Sequence, residues 1–165
     1  SVTGNTKMIA NAIAAVLGDE CVYLGGAEGA PDCELYLVGS WSDKGVCCDE
    51  IKGFLKGLTG KKAAYFATCG YGGGESSEKY YDMLVERARK ELPEGCTFLG
   101  GFVCQGKMPE AIGERYRQAL EKDPGDTRSL QGLELYKDGL SHPDEKDIAE
   151  AKAWAAEVLS RAKGL

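Results

Sequence analysis

What this sequence has little of narrows its chemistry before any motif is read. It holds a single His, His142, in 165 residues. Its seven Cys form no CxxC pair, and the one close pair, Cys47-Cys48, is vicinal. That spacing neither clamps a metal nor closes an unstrained disulfide, so no metal site is expected. No apolar run approaches the ~18 residues of a membrane span. Positive charge is short: 20 Lys and Arg stand against 26 Asp and Glu, a net charge of -6. This balance argues against a nucleic-acid partner, which requires a basic patch. An acidic surface suits a basic protein partner, or serves solubility. There is no GxxxxGK[ST] loop, and no GxGxxG at the first turn.

What is present reads as one globular domain, with 43% hydrophobic and 28% charged residues. The cysteines read as reduced, small, buried hydrophobes of a cytoplasmic protein. Met8, Ile9, Ala12, Ile13, Val16 and Leu17 recur at helical spacing, predicting a helix over 6–17 that Gly18 ends. "CVYLG" (21–25) predicts a short strand and "GAEGAPD" (26–32) a loop. "ELYLVGSW" (34–41), "KKAAYFATCG" (61–70) and "CTFLGGFVC" (96–104) predict strands, the first two buried on both faces. A helix marked by Cys48, Ile51, Leu55 and Leu58 stops near Gly60, and "YGGGESS" (71–77) is a loop before a helix marked by Tyr80, Leu84 and Ala88. This alternation implies an α/β fold, a doubly wound parallel sheet with helices on both faces. Functional turns then lie at the carboxyl ends of the strands. Residues 106–143 differ: they are polar and helix-rich, broken at Asp123-Pro124-Gly125 and Ser141-His142-Pro143. A last helix follows over 144–162, with Trp154 and His142 read as packing and helix-start residues.

The chain opens on "SVTGNT", a hydroxyl-rich turn leading into the first helix. Ser1, Thr3, Asn5 and Thr6 supply short side-chain donors, and Gly4 allows close backbone approach. With the helix dipole they form an anion site. The turn itself carries no Lys or Arg, so it suits a phosphate that stays put, not a triphosphate being cleaved. The alternative is a plain helix cap. Two loop aromatics keep it company: Trp41 closes the second apolar strand, and Tyr71 follows the third. A phosphate nest beside two aromatics at strand ends describes a site for a planar ring with a phosphate tail.

On these residues the chain resembles the flavodoxin family. "SVTGNT" is similar to that family's S/T-x-T-G-N-T phosphate loop. The resemblance covers about 1–104 and resumes in the last helix, while 106–143, opened by "CQGKMP" (104–109), departs from it as a helical insertion. It is also similar to a subset from anaerobic bacteria, some associated with bilirubin reduction. The resemblance implies FMN. Ser1, Val2, Thr3, Gly4, Asn5 and Thr6 would hold its phosphate. "GSWSDKG" (39–45) would supply the first ring loop, with Ser40, Trp41, Ser42, Lys44 and Gly45. "TCGYGGG" (68–74) would supply the second, with Thr68, Cys69, Gly70, Tyr71 and Gly74.

FMN would carry the redox chemistry. Stacking on Trp41 and Tyr71 would favour its flatter forms, and acidic surroundings would lower the potential for the second electron. A peptide at Gly45, or at Ser42-Asp43, would reorient on reduction. Lys44 is a cation in the ring loop or a solvated lysine, and Cys69 is a packing residue or a reactive thiol. The implied function is a low-potential electron carrier between a reductase and an acceptor enzyme. The alternatives are an FMN-dependent NAD(P)H or quinone-type oxidoreductase, and a flavodoxin-like domain that has lost its flavin. In a sheet ordered 2-1-3-4-5 the strand before "SVTGNT" is central. The expectation is therefore that the natural protein begins before Ser1, and that these residues show four parallel strands with a gap between them.

Overall fold

The computed structural model describes residues 3–72 and 75–164. Its elements are α1 (Asn5–Leu17), β1 (Leu35–Asp43), β2 (Val46–Cys47), α2 (Asp49–Lys56), β3 (Lys62–Cys69), α3 (Glu75–Arg89), β4 (Thr97–Gln105), α4 (Glu110–Lys122), α5 (Thr127–Gly139) and α6 (Glu145–Lys163). The sheet runs β2-β1-β3-β4. β1, β3 and β4 are parallel, and β2 returns antiparallel against Ser42 and Asp43.

The strand period of two divides β3 between two cores. Ala63, Tyr65, Ala67 and Cys69 face one way and pack with Ile51 and Leu55 of α2 and Leu84 and Ala88 of α3. Ala64 and Phe66 face the other way, toward Ile9 and Ile13 of α1 and Ala151, Ala155, Val158 and Ala162 of α6. Trp154 lies edge-on to Phe66, with ring centres 6.3 Å apart, and close to Phe102, as expected of a packing residue. β4 keeps this alternation only by slipping one residue: the ladder shifts between Ala63 and Tyr65, opposite Gly100 at φ 121°. The extra residue turns both Leu99 and Phe102 toward α6.

Three expectations need correction. Residues 21–25 form no strand, and Val22 is 74% exposed. A strand exists only where a neighbour takes its N–H and C=O groups, and no such neighbour lies beside this segment among the described residues. Among the described residues there are therefore three parallel strands, not four, with the short antiparallel β2. The loop assigned to 71–77 is already helical from Glu75, where α3 begins. A cavity of about 1070 Å³ runs along the unpaired edge of β1, lined by Ala10, Ile13, Leu35, Leu37, Phe66 and Leu159 among others. No helix among the described residues is long and apolar enough to cross a membrane.

Residues 106–143 hold α4 and α5, two helices packed side by side. Gly113 is overlaid by the Tyr136 ring and Gly132 by the Tyr116 ring, close approaches that a larger residue would block. Asp126 caps α5, accepting from the Arg128 and Ser129 N–H groups.

Candidate functional site at the carboxyl edge of the sheet

α1 starts at Asn5 because Gly4 enters at φ 81°, a left-handed turn that glycine adopts without strain. The first helical bond runs from the Met8 N–H to the Gly4 carbonyl. The N–H groups before it have no partner within the helix, and Gly4 at the cap position has no side chain to offer them. A side chain at position 4 would meet nothing within 4 Å, so open space lies over the turn. Thr6 is tied to the end of β3 by a 2.9 Å bond between its hydroxyl and that of Thr68. Asn5 is only 5% exposed. Its Nδ2 donates to the Lys107 carbonyl at 2.9 Å, while its Oδ1 is buried with no partner. A second buried atom without a partner is Ser42 Oγ, in the loop after β1. Both orphaned atoms lie in segments singled out from sequence, Asn5 in the first turn and Ser42 in "GSWSDKG".

The ladder aligns Trp41 with Thr68 and Thr68 with Cys104, so the loops after β1 and β3 leave the sheet at one edge. Trp41 is 37% exposed and Tyr71 36%, large aromatic surfaces left partly open at that edge. Tyr71 is braced by Tyr80, ring centres 5.1 Å apart, and its carbonyl accepts from the Tyr81 hydroxyl at 3.1 Å.

Other expected site residues do different work. Ser40 is buried; its hydroxyl donates to the Trp41 carbonyl and accepts from the Cys48 N–H, so it shapes the loop from inside. Lys44 (φ 51°) and Gly45 (φ 82°) form the two-residue turn of the β1-β2 hairpin. Lys44 is exposed there. Gly45 is buried, and its carbonyl accepts from Arg87 Nη1 at 2.8 Å. Gly70 is covered by the Met108 side chain. Burial pushes the Cys69 thiol up to about 12, and its Sγ donates to the Tyr71 carbonyl. A thiol held protonated in this way is a packing group, not a nucleophile. All seven cysteines are free thiols; Cys47, Cys69 and Cys104 are buried and the other four half-buried. Ser1, Val2 and Gly74 lie outside the described residues.

Sequence reading missed Gln105, Lys107, Met108 and Arg87. The Gly106 N–H donates to the Cys69 carbonyl at 2.8 Å and the Lys107 N–H to the His142 carbonyl at 3.0 Å. The Gln105 side chain fills the space over Gly72. This strap therefore touches the first turn, the second loop and the end of the helical pair. The only signal for it was the departure of "CQGKMP" from the family pattern. His142, as expected at a helix start, bonds through Nδ1 to Asp147 at 2.6 Å, beside the Asp144 capping box of α6.

A model of the flavodoxin domain matches residues 1–156. The chain belongs to the flavodoxin family. It is 36% identical over 169 residues to a flavodoxin-like domain-containing protein, BilS, of Clostridium symbiosum, covering 90% of this chain and 87% of that one. It is 32% identical over 170 residues to a protein of the same description from Clostridioides difficile, covering 98% and 94%. Among solved structures, the two-electron reduced flavodoxin of Megasphaera elsdenii aligns at 20% identity and a TM-score of 0.42, over 83% of this chain and 94% of that one.

Proposed function

We propose that this flavodoxin-family chain is a single domain that binds FMN at the carboxyl edge of the sheet. In this reading it works as a low-potential electron carrier, passing single electrons between a reductase and an acceptor enzyme. The observation that carries the reading is the pair of orphaned buried atoms, Asn5 Oδ1 and Ser42 Oγ, in a first turn and a loop already marked by their chemistry. The donor set fits the group. The N–H groups at the start of α1 that lack a partner within the helix, with Thr3 and Thr6, suit phosphate oxygens. Asn5 Oδ1 is an acceptor and suits a ribityl hydroxyl, and Ser42 Oγ can donate or accept. Trp41 and Tyr71 offer partly open rings to a flat heterocycle. Ser1, Val2 and Gly74 complete this site in the proposal.

FMN supplies reversible one-electron chemistry when bound. The chain's own residues bind and orient it and limit its contact with water. Arg87 pins the Gly45 carbonyl, so of the two peptides that were candidates to reorient on reduction, Ser42-Asp43 is favoured. The net charge of -6 suits docking to basic faces of redox partners.

The test is an anaerobic reductive titration of the FMN-incubated protein, followed by absorbance. Expected are tight uptake of FMN and accumulation of the one-electron-reduced form. A protein that stays colourless after incubation has lost its flavin, against this reading. Rapid bleaching by NADH or NADPH alone would replace the carrier with the oxidoreductase. Trp41→Ala should weaken FMN binding on the order of tenfold, about the effect of losing one aromatic contact of ~1.4 kcal/mol.

A further inference from the structure

The "SVTGNT" turn itself carries no Lys or Arg, Lys7 lying just inside α1, yet the fold brings a lysine to it from a hundred residues away. Lys107 lies in the strap between β4 and α4, and both of its backbone groups are bonded. Its N–H donates to the His142 carbonyl at 3.0 Å, and its carbonyl accepts from Asn5 Nδ2 at 2.9 Å. Gly106, just before it, packs so closely on the Asn5 side chain that a Cβ there would lie 2.5 Å from Nδ2. The main chain of Lys107 is therefore fixed against the residue that opens α1, whose Oδ1 is the orphaned buried acceptor. The Lys107 side chain is exposed and forms no ion pair among the described residues. Some other lysines and arginines are matched, among them Lys61 with Asp32, Lys163 with Glu20, Arg89 with Glu86, and Arg117 with Glu110 and Glu114, while others, Lys7 and Lys44 included, form no ion pair among the described residues. What sets Lys107 apart is its anchoring: its main chain is tied to the residue that opens α1.

We infer that Lys107 is the specificity residue for the phosphate of the flavin, setting FMN apart from its dephosphorylated form, riboflavin. This rests on the FMN reading above and deepens it. An ammonium on a four-carbon stem, rooted next to the helix start, adds a full positive charge to the neutral donors of the turn. The helix start alone supplies a partial positive charge. A dianionic phosphate gains from both, while a riboflavin hydroxyl gains little from either. The same placement ties phosphate recognition to the helical pair, because the bond to His142 holds Lys107 in position.

The experiment measures dissociation constants for FMN and riboflavin at low and high salt, in the wild-type chain, Lys107→Met and Lys7→Met. Lys7 is the exposed lysine inside α1 and serves as the control. Expected for Lys107→Met is roughly five- to thirtyfold weaker FMN binding, less than about twofold change for riboflavin, and a flatter salt dependence for FMN. Lys107→Arg should keep most of the FMN preference, and unfolding midpoints of all variants should match the wild type. Equal losses for both flavins, no loss, or an equal loss in Lys7→Met would overturn the inference while wild-type FMN binding stands. A wild-type chain that binds neither flavin would overturn the FMN reading itself, and the inference with it.

Discussion

The strands around β3 and the helical pair α4–α5 are held by opposite means. Residues Ala63–Cys69 are buried without exception, and no charge sits among them. Their positions are imposed from two packed faces at once, by α2 and α3 on one side and α1 and α6 on the other. In α4–α5 the buried residues are few: Gly113, Ser129, Tyr136 and Gly139. There the ties are polar and near the surface, the Tyr136 hydroxyl donating to Glu110 at 2.8 Å and Arg117 bridging Glu110 and Glu114. The difference teaches where the candidate site gets its geometry. Trp41, Thr68 and the loop to Tyr71 are set by the doubly packed strands, and dispersion and burial do not depend on pH. The helical pair reaches the site through the strap at 105–108 and adds to it, without forming its floor.

The comparison breaks most sharply at Phe66. Its ring fills the space that a side chain at Gly39 would need and meets Trp154. Phe66→Ala should cost about 3–5 kcal/mol, seen as a lower urea midpoint with unchanged slope. A loss below about 1 kcal/mol would mean that the α1/α6 face does not hold the sheet as described. A smaller effect is expected where the core meets the site. Thr68→Val keeps shape but removes the hydroxyl bonded to Thr6, and should cost about 1 kcal/mol. Full stability in that variant would show that the link between α1 and β3 is carried by packing alone.

The same contrast explains what was legible in the sequence. The strands over 34–41, 61–70 and 96–104 were readable because each carries a short apolar run, and β3, buried from Ala63 to Cys69, fits the two-faced burial such a run implies. The first turn and the two aromatics were readable because small polar and aromatic residues at strand ends have few purely structural uses. "CVYLG" misled because its apolar content is that of a strand, while strand formation depends on a neighbour that no local pattern can report. The β1-β2 hairpin hides in "SDKGVC", where Lys44 takes the left-handed turn position that Asn or Asp would have announced. Arg87 and Lys107 were invisible for a different reason. Each acts on a partner 42 or 102 positions away, and only the fold brings such residues together.

The smallest expected effect is a dependence on acid confined to the helical pair. The Tyr136 hydroxyl, then Arg117, hold the Glu110 carboxyl below its ordinary 4.5. A carboxyl depressed in the folded state adds stability that is complete above the unfolded value and fades as pH falls through the folded one. The ties between α4 and α5 should thus weaken below about pH 4.5, while the strands, whose contacts are apolar, hold. Asp126, held down chiefly by Ser129, adds to the same slope at the start of α5. Glu110→Gln preserves shape but removes the charge. It should loosen the pair slightly at neutral pH and flatten its response to acid, leaving the slope that Asp126 supplies. Amide hydrogen exchange in α4 and α5, compared with β3 at neutral pH and at about pH 3.5, reads this directly. If the wild-type pair and the strands lose protection together on acidification, the two regions unfold as one unit and the contrast between them is not energetic. If Glu110→Gln leaves the acid response of the pair unchanged, the Tyr136–Glu110–Arg117 cluster is not what holds it.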